Sequence, residues 1–115
     1  MAVDVLHIVD VIEVMENFLS RRRPPEAIRN QLDLGYKIED QSVIIHEIRP
    51  LAMDKNKKIE PPIAKATYVK KTDSWKIFWI RHNMKWHTYD PQPMVPTLLD
   101  FVSVVEADTH GCFWG

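Results

Sequence analysis

The sequence predicts an α+β fold, in which an antiparallel sheet of about five strands, a hairpin plus a three-strand meander, is flanked by N-terminal and C-terminal helices. Apolar residues recur at helical spacing at both ends of the chain, and they alternate with a period of two in between. The length of 115 residues is that of one domain with one core. We therefore predict a single domain over residues 1–115.

Three helices are predicted. An amphipathic stripe indicates a helix over residues 4–20, which is followed by three arginines and ended by Pro24 and Pro25. Proline is tolerated in a first helical turn, so Pro25 can begin a short second helix over residues 25–32. After a proline-rich connection, the last apolar stripe predicts a helix over about residues 95–107.

Between these helices, the alternating pattern predicts the strands of the sheet. They are expected at about 34–39, 42–49, 64–71, 75–81 and 85–89. The charged segment MDKNKKIEPP, residues 53–62, ends in two prolines and is predicted to be a surface loop.

The stretch from Trp75 to Tyr89 contains three of the four tryptophans and is the main candidate for a functional region. If the loops at 72–74 and 82–84 each have three residues, side-chain alternation assigns every strand residue to one side of the sheet. One side is expected to be the core: Ala64, Ala66, Tyr68, Phe78, Ile80 and Trp86. The other side is expected to mix aromatic and cationic groups: Lys65, Thr67, Val69, Trp75, Ile77, Trp79, Arg81, Lys85, His87 and Tyr89.

The mixed side supplies the candidate ligand-binding residues. They are Trp75, Trp79, Arg81, Lys85, His87 and Tyr89. Such a side can bind a protein or peptide, stack the bases of nucleic acid, or be covered by a helix and belong to the core. The leading hypothesis is a non-enzymatic binding or interaction module. The alternatives are single-stranded nucleic-acid binding by the same side, and an enzyme with His87 as general base.

Charge is segregated along the chain, although the net charge is only -1. Residues 1–19 and 90–115 carry acids but no Lys or Arg, whereas residues 64–89 have a net charge of +5. Either acidic helices pack against a basic sheet, or the sheet has an anion-binding face. A pI near 6.5 is not typical of a dedicated nucleic-acid binder.

Composition also limits the expected cellular location of the protein and the kinds of cofactor or metal site that it could contain. A single cysteine cannot form an internal disulfide, and acids interrupt the first apolar stretch, so we expect a cytoplasmic protein with no membrane partner. No cofactor and no catalytic residue is predicted. No metal site is predicted either, because the spacing of His82, His87, His110 and Cys112 matches no ligand motif.

The tail GCFWG, residues 111–115, is the nucleophile motif of the peptide methionine sulfoxide reductases of the A type. That chemistry needs a cysteine whose pKa is lowered, for example at a helix N-terminus, and no helix follows Cys112. We expect instead a structural tail, with Phe113 and Trp114 packed on the sheet.

A series of short motifs gives the chain a family resemblance. The motifs are Arg23-Pro24-Pro25, Ile28–Leu32, Tyr36, Ser42-Val43, Glu47–Pro50, Ile63-Ala64, Trp75–Trp79, Lys85–Tyr89 and Gly111–Gly115. From about Arg21 onward the chain resembles a small bacterial family catalogued as domain of unknown function 3024. The resemblance implies a single domain, but no activity, ligand or catalytic residue.

Overall fold

A computed structural model describes the backbone of residues 5–114 and the side chains of residues 8–114. The α+β fold class is confirmed. Helices at the two ends flank a sheet in which the described strands pair antiparallel throughout.

Two helices and seven strands make up the described fold. They are α1 (Val5–Arg22), β1 (Asp33–Glu39), β2 (Ser42–Leu51), β3 (Asp54–Ile59), β4 (Pro62–Val69), β5 (Ser74–Ile80), β6 (Trp86–Thr88), β7 (Met94–Val95) and α2 (Leu98–Ala107). The main strand order is β1-β2-β4-β5-β6, while β3 pairs with β2 and β7 pairs with β5.

The beginning of the chain differs from prediction in two ways. Helix α1 continues to Arg22, and Asp4, where the helix was predicted to begin, lies outside the described residues. In place of the short helix over residues 25–32, only one 3-10 turn forms, Glu26–Ile28. No side chain caps this turn, so it has little to stabilise further helical turns.

The last helix is shorter than predicted. Thr97 caps α2, because its hydroxyl accepts the backbone N–H of Asp100 at 3.1 Å. Val95 precedes Pro96, and a residue before proline favours the extended conformation. Val95 therefore lies in β7, opposite Trp75, rather than in a helix.

The segment predicted as a surface loop forms a strand instead. Strands β2 and β3 make a hairpin arm, residues 49–59, that continues past Ile48, where the pairing of β2 with β1 ends. The arm is exposed on most of its surface, and Met53 at its turn is 95% exposed. A ribbon with both faces in water needs no apolar alternation, which is why the sequence pattern does not reveal it.

The core lies between the two helices and one face of the sheet. Its fully buried members are Val11, Met15, Phe18, Val43, Ile45, Ala64, Ala66, Ile77, Val95, Phe101, Val102 and Val105. The helices are also joined by an ion pair, in which Arg21 Nη2 lies 2.8 Å from Glu106 Oε1. Neither described helix combines the length and apolar character needed to span a bilayer.

A paired arginine and aspartate connect the end of α1 to the start of β1. Arg23 donates Nε and Nη2 to the two carboxylate oxygens of Asp33 at 2.8 and 2.7 Å. Asp33 is buried, and its Oδ1 also accepts the N–H of Leu34 at 2.8 Å. The Arg23 hydrogen bonds lower the pKa of Asp33, despite the opposing effect of burial.

We expect Asp33→Asn to lower the free energy of unfolding by about 2 kcal/mol at pH 7. A carboxylate with a lowered folded pKa stabilises the fold above its unfolded pKa of about 3.9, and that stability is lost as the pH falls through the folded value. Urea unfolding from pH 7 to pH 2 should therefore show the difference between wild type and Asp33→Asn shrinking below about pH 4. A difference that is independent of pH would contradict this role.

Candidate functional site

The pairing of β4 with β5 determines which side of β5 faces the helices. Val69 lies opposite Ser74, so the connecting loop has four residues, 70–73, rather than the predicted three. The loop ends at Asp73, whose φ is 48°, and the Tyr68 hydroxyl donates to Asp73 Oδ1 at 2.7 Å. Because the loop has one residue more than predicted, the side of β5 that was expected to share a face of the sheet with the core side of β4 lies on the opposite face.

The predicted relation between β5 and β6 is correct. Trp79 lies opposite His87 and Ile80 opposite Trp86, which leaves a short connection that includes Met84 at a φ of 63°. The backbone N–H of Arg81 donates to the carbonyl of Lys85 at 3.2 Å. The sequence thus divided residues 75–89 into the right two sets, and assigned the wrong set to the core.

Two of the six candidate ligand-binding residues are buried in the core. Trp75 is 5% exposed and Tyr89 is 2% exposed. The ring of Trp75 lies 5.2 Å from that of Tyr68, and the ring of Tyr89 lies 4.9 Å from that of Phe113. Helix residues lie over both rings, and the small part of each ring that remains exposed borders a surface depression.

The other four candidates lie at the edge of the core, around the β5–β6 turn. Trp79 and His87 are half-buried, and Arg81 and Lys85 are exposed. The Arg81 guanidinium lies 5.6 Å from the centre of the Trp79 ring, and His87 Nε2 lies 3.4 Å from Asn83 Nδ2. Ligand binding by these residues stays a prediction.

On the opposite side of the sheet lies a surface that neither helix covers, here named the open face. Its residues are Lys37, Glu39, Ser42, Ile44, Lys65, Thr67, Lys76, Phe78, Ile80, Trp86 and Thr88. All of them are exposed or half-buried. Phe78, Ile80 and Trp86 were predicted to be core, and the structure places them here instead.

Lys65 lies at the centre of the open face. It lies opposite Phe78, and its Nζ is 4.9 Å from the ring centres of both Phe78 and Trp86. Partial burial lowers the pKa of Lys65, while the negative charge of Glu39 opposes this effect. These contacts bring two aromatic groups and one positive charge together on one face of the sheet.

A shallow depression of about 190 Å³ adjoins Trp86 and extends to the base of the hairpin arm. Lys37 and Glu60 form an ion pair at its rim, with Nζ 2.7 Å from Oε1. His46 lies in the depression, 4% exposed, opposite Gly35. A Cβ at Gly35 would come within 2.9 Å of His46 Cε1, so the ring occupies space that only glycine leaves free.

The two sides of the fold differ in charge. The helix side has acids and no Lys or Arg at residues 8–20 and 98–110: Asp10, Glu13, Glu16, Asp100, Glu106 and Asp108. The chain from β4 to the end of β6 contains six bases and one acid: Lys65, Lys70, Lys71, Lys76, Arg81, Lys85 and Asp73. The acids of the helices and the bases between β4 and β6 thus lie on different elements, although Arg21 and Arg22 end α1 and Arg81 lies over Trp79 on the helix-facing side of β5. That the sheet attracts anions stays a prediction.

The open face could have been identified from one charged residue. Lys76 shares its side of β5 with Phe78 and Ile80, whereas Trp75, Ile77 and Trp79 on the other side include no charge. An unpaired lysine is rarely buried, so Lys76 marks its side as the solvent side. Loop length is the weaker indicator here, because the loop between β4 and β5 has one residue more than predicted.

The C-terminal tail is structural in its contacts. Asp108, with a φ of 41°, ends α2, and its carboxylate accepts the N–H groups of Phe113 and Trp114 at 3.1 and 3.0 Å. The Trp114 Nε1–H donates to the carbonyl of Val105 at 2.9 Å. Burial, and secondarily Asp108, raise the pKa of the Cys112 thiol. A raised pKa disfavours the thiolate that a nucleophile requires.

Within the described residues, no group of three or more His, Cys, Asp or Glu side chains is placed to hold a metal ion.

A family model described as "Domain of unknown function (DUF3024)" matches residues 3–115 of the chain. Searches of the curated proteins and of the solved structures found no match.

Trp75 is buried and Trp86 is half-exposed, the reverse of the prediction, and unfolding measurements can test this difference. We expect Trp75→Ala to lower the free energy of unfolding by about 3 to 5 kcal/mol, because it leaves a large cavity in the core. Trp86→Ala should cost only about 1 kcal/mol, since it removes a half-exposed ring and a cation–π contact. Urea unfolding of both variants tests this contrast, and equal destabilisation would contradict the assignment of faces.

Proposed function

Because the chain belongs to the DUF3024 family, whose description assigns no activity, we propose a function from the site itself. The protein is a non-enzymatic binding module, and the open face is its recognition surface. Its ligand is an extended chain in which flat groups alternate with anionic groups.

The contact of Lys65 with two aromatic rings carries this proposal. Phe78 and Trp86 are half-exposed on a side of the sheet that the helices leave uncovered. The Lys65 cation contacts both rings, and this contact favours the arrangement in which both are presented on the same face. Flat groups of a ligand can pack on the rings, while its anionic groups approach Lys65 and Lys76.

The positions of the residues grouped with His87 favour the binding proposal over the enzyme hypothesis. Tyr89 is buried against Phe113, and Arg81 is directed over the Trp79 ring. The nearest polar contact of His87 that the structure shows is the Asn83 amide. This set does not converge on one point where a substrate proton could be removed.

A cytoplasmic location is part of the same proposal, because a single cysteine favours a reducing compartment.

Selection from two pools tests the proposal without assuming the ligand. The immobilised protein is panned against a random peptide library displayed on phage and against random single-stranded oligonucleotides. We expect ligands from at least one pool to bind wild type at least about tenfold more tightly than the Phe78→Ala/Trp86→Ala double variant, because two packing surfaces are lost.

A matched control distinguishes binding at the open face from nonspecific hydrophobic binding elsewhere on the surface. The Ile12→Ala/Leu99→Ala double variant removes two exposed apolar side chains from the helix side. The selected ligands should bind it within about twofold of wild type. If neither pool yields a ligand, or if the ligands bind the open-face variant as well as wild type, the proposed function is wrong.

A further inference from the structure

We infer that the ligand of the open face is single-stranded nucleic acid, an inference that rests on the proposed function. The strand crosses the face from Lys76 over the rings of Phe78 and Trp86. It then continues along the depression beside Trp86 toward the hairpin arm. Three features carry this inference: the position of the rings, the distribution of the cations, and the hydrogen bonding of the central strands.

The rings are placed to stack on the bases of an unpaired strand. Phe78 projects from β5 and Trp86 from β6, and these strands are neighbours in the sheet. Phe78 lies opposite Thr88 and Trp86 lies opposite Ile80, so the two residues are diagonal neighbours about 7 to 8 Å apart, a spacing that two bases of an extended strand can span. A duplex keeps its base faces stacked inside the helix, where these rings cannot contact them.

Lysines lie on and near this path, together with two acids, Glu39 and Glu60, that line the depression. Lys65 and Lys76 lie on the open face, and the hairpin arm adds Lys55, Lys57 and Lys58, all exposed. Among the described residues, none of these five lysines forms an ion pair with an acid, whereas Lys37 is bound to Glu60. Free lysines next to aromatic rings fit a ligand that alternates phosphates with bases.

The central strands argue against a peptide as the ligand. A peptide that binds a sheet generally adds a strand at an edge through main-chain hydrogen bonds. Strand β4 is paired on both sides, with β2 and with β5, and β5 is paired with β4 and with β6 and β7. The recognition groups of the open face are therefore side chains, which is what base stacking and phosphate contacts require.

Fluorescence anisotropy tests the inference with fluorescently labelled oligonucleotides of about 15 nucleotides. The probes are oligo(dT), oligo(U) and a DNA duplex of the same length. We expect at least one single strand to bind at least about tenfold more tightly than the duplex. If four phosphates are contacted, its affinity should fall about 50-fold between 50 and 200 mM salt.

Variants separate stacking from charge. Phe78→Ala and Trp86→Ala should each weaken binding about tenfold at every salt concentration. The triple variant Lys55→Gln/Lys57→Gln/Lys58→Gln should flatten the salt dependence, with a slope smaller by up to about 2 logarithmic units per decade of salt. The control Arg21→Gln removes one positive charge beside the helix side and should change affinity by less than about twofold.

The outcomes distinguish this inference from the proposed function. If no single strand binds at low salt, or if binding is insensitive to salt or to Trp86→Ala, the nucleic-acid inference is overturned. In that case, peptides from the phage library that still depend on Phe78 and Trp86 would leave the proposed function standing. If no such peptides exist, both fail.

Discussion

The pairing register between β4 and β5 is the constraint on which the other features of this protein depend. Four loop residues, ending in Asp73 at a positive φ, place Tyr68 opposite Trp75 and Ala66 opposite Ile77. A shift by one residue would turn every side chain of β5 to the other side of the sheet. In the observed register, Ala64 and Ala66 leave room for Trp79 and Ile77, while Tyr68 packs directly on Trp75, all on the side that the helices cover.

The same register creates the open face. Once Trp75 and Ile77 are directed toward α1 and α2, Phe78 and Ile80 must point to the other side, and the β5–β6 pairing brings Trp86 beside them. Lys65 then lies between two rings rather than in a core, where an ammonium group would be costly. The candidate recognition surface is therefore a geometric consequence of how the core is packed.

The ends of the chain stabilise the helix side and leave the sheet side free. Arg23 binds Asp33 at the end of α1, and Asp108 binds two backbone N–H groups of the tail after α2. The tail motif with Cys112 is explained by these contacts, since Phe113 packs on Tyr89 and Trp114 bonds to α2. Acids on the helices and bases between β4 and β6 thus lie on different elements of the fold, with Arg21 and Arg22 at the end of α1 as the exception.

Local sequence determined the fold class, the two long helices, the five principal strands and the division of residues 75–89 into two sets, because periodicity and turn residues are local signals. Charge segregation could be counted directly from the sequence, and the family was indicated by the resemblance of short motifs. Only the tertiary structure decided which set is buried, since that depends on one residue of loop length between β4 and β5. It also revealed the hairpin arm, whose solvated faces carry no apolar pattern. Lys65 could be placed between Phe78 and Trp86 only once the register of three strands was known.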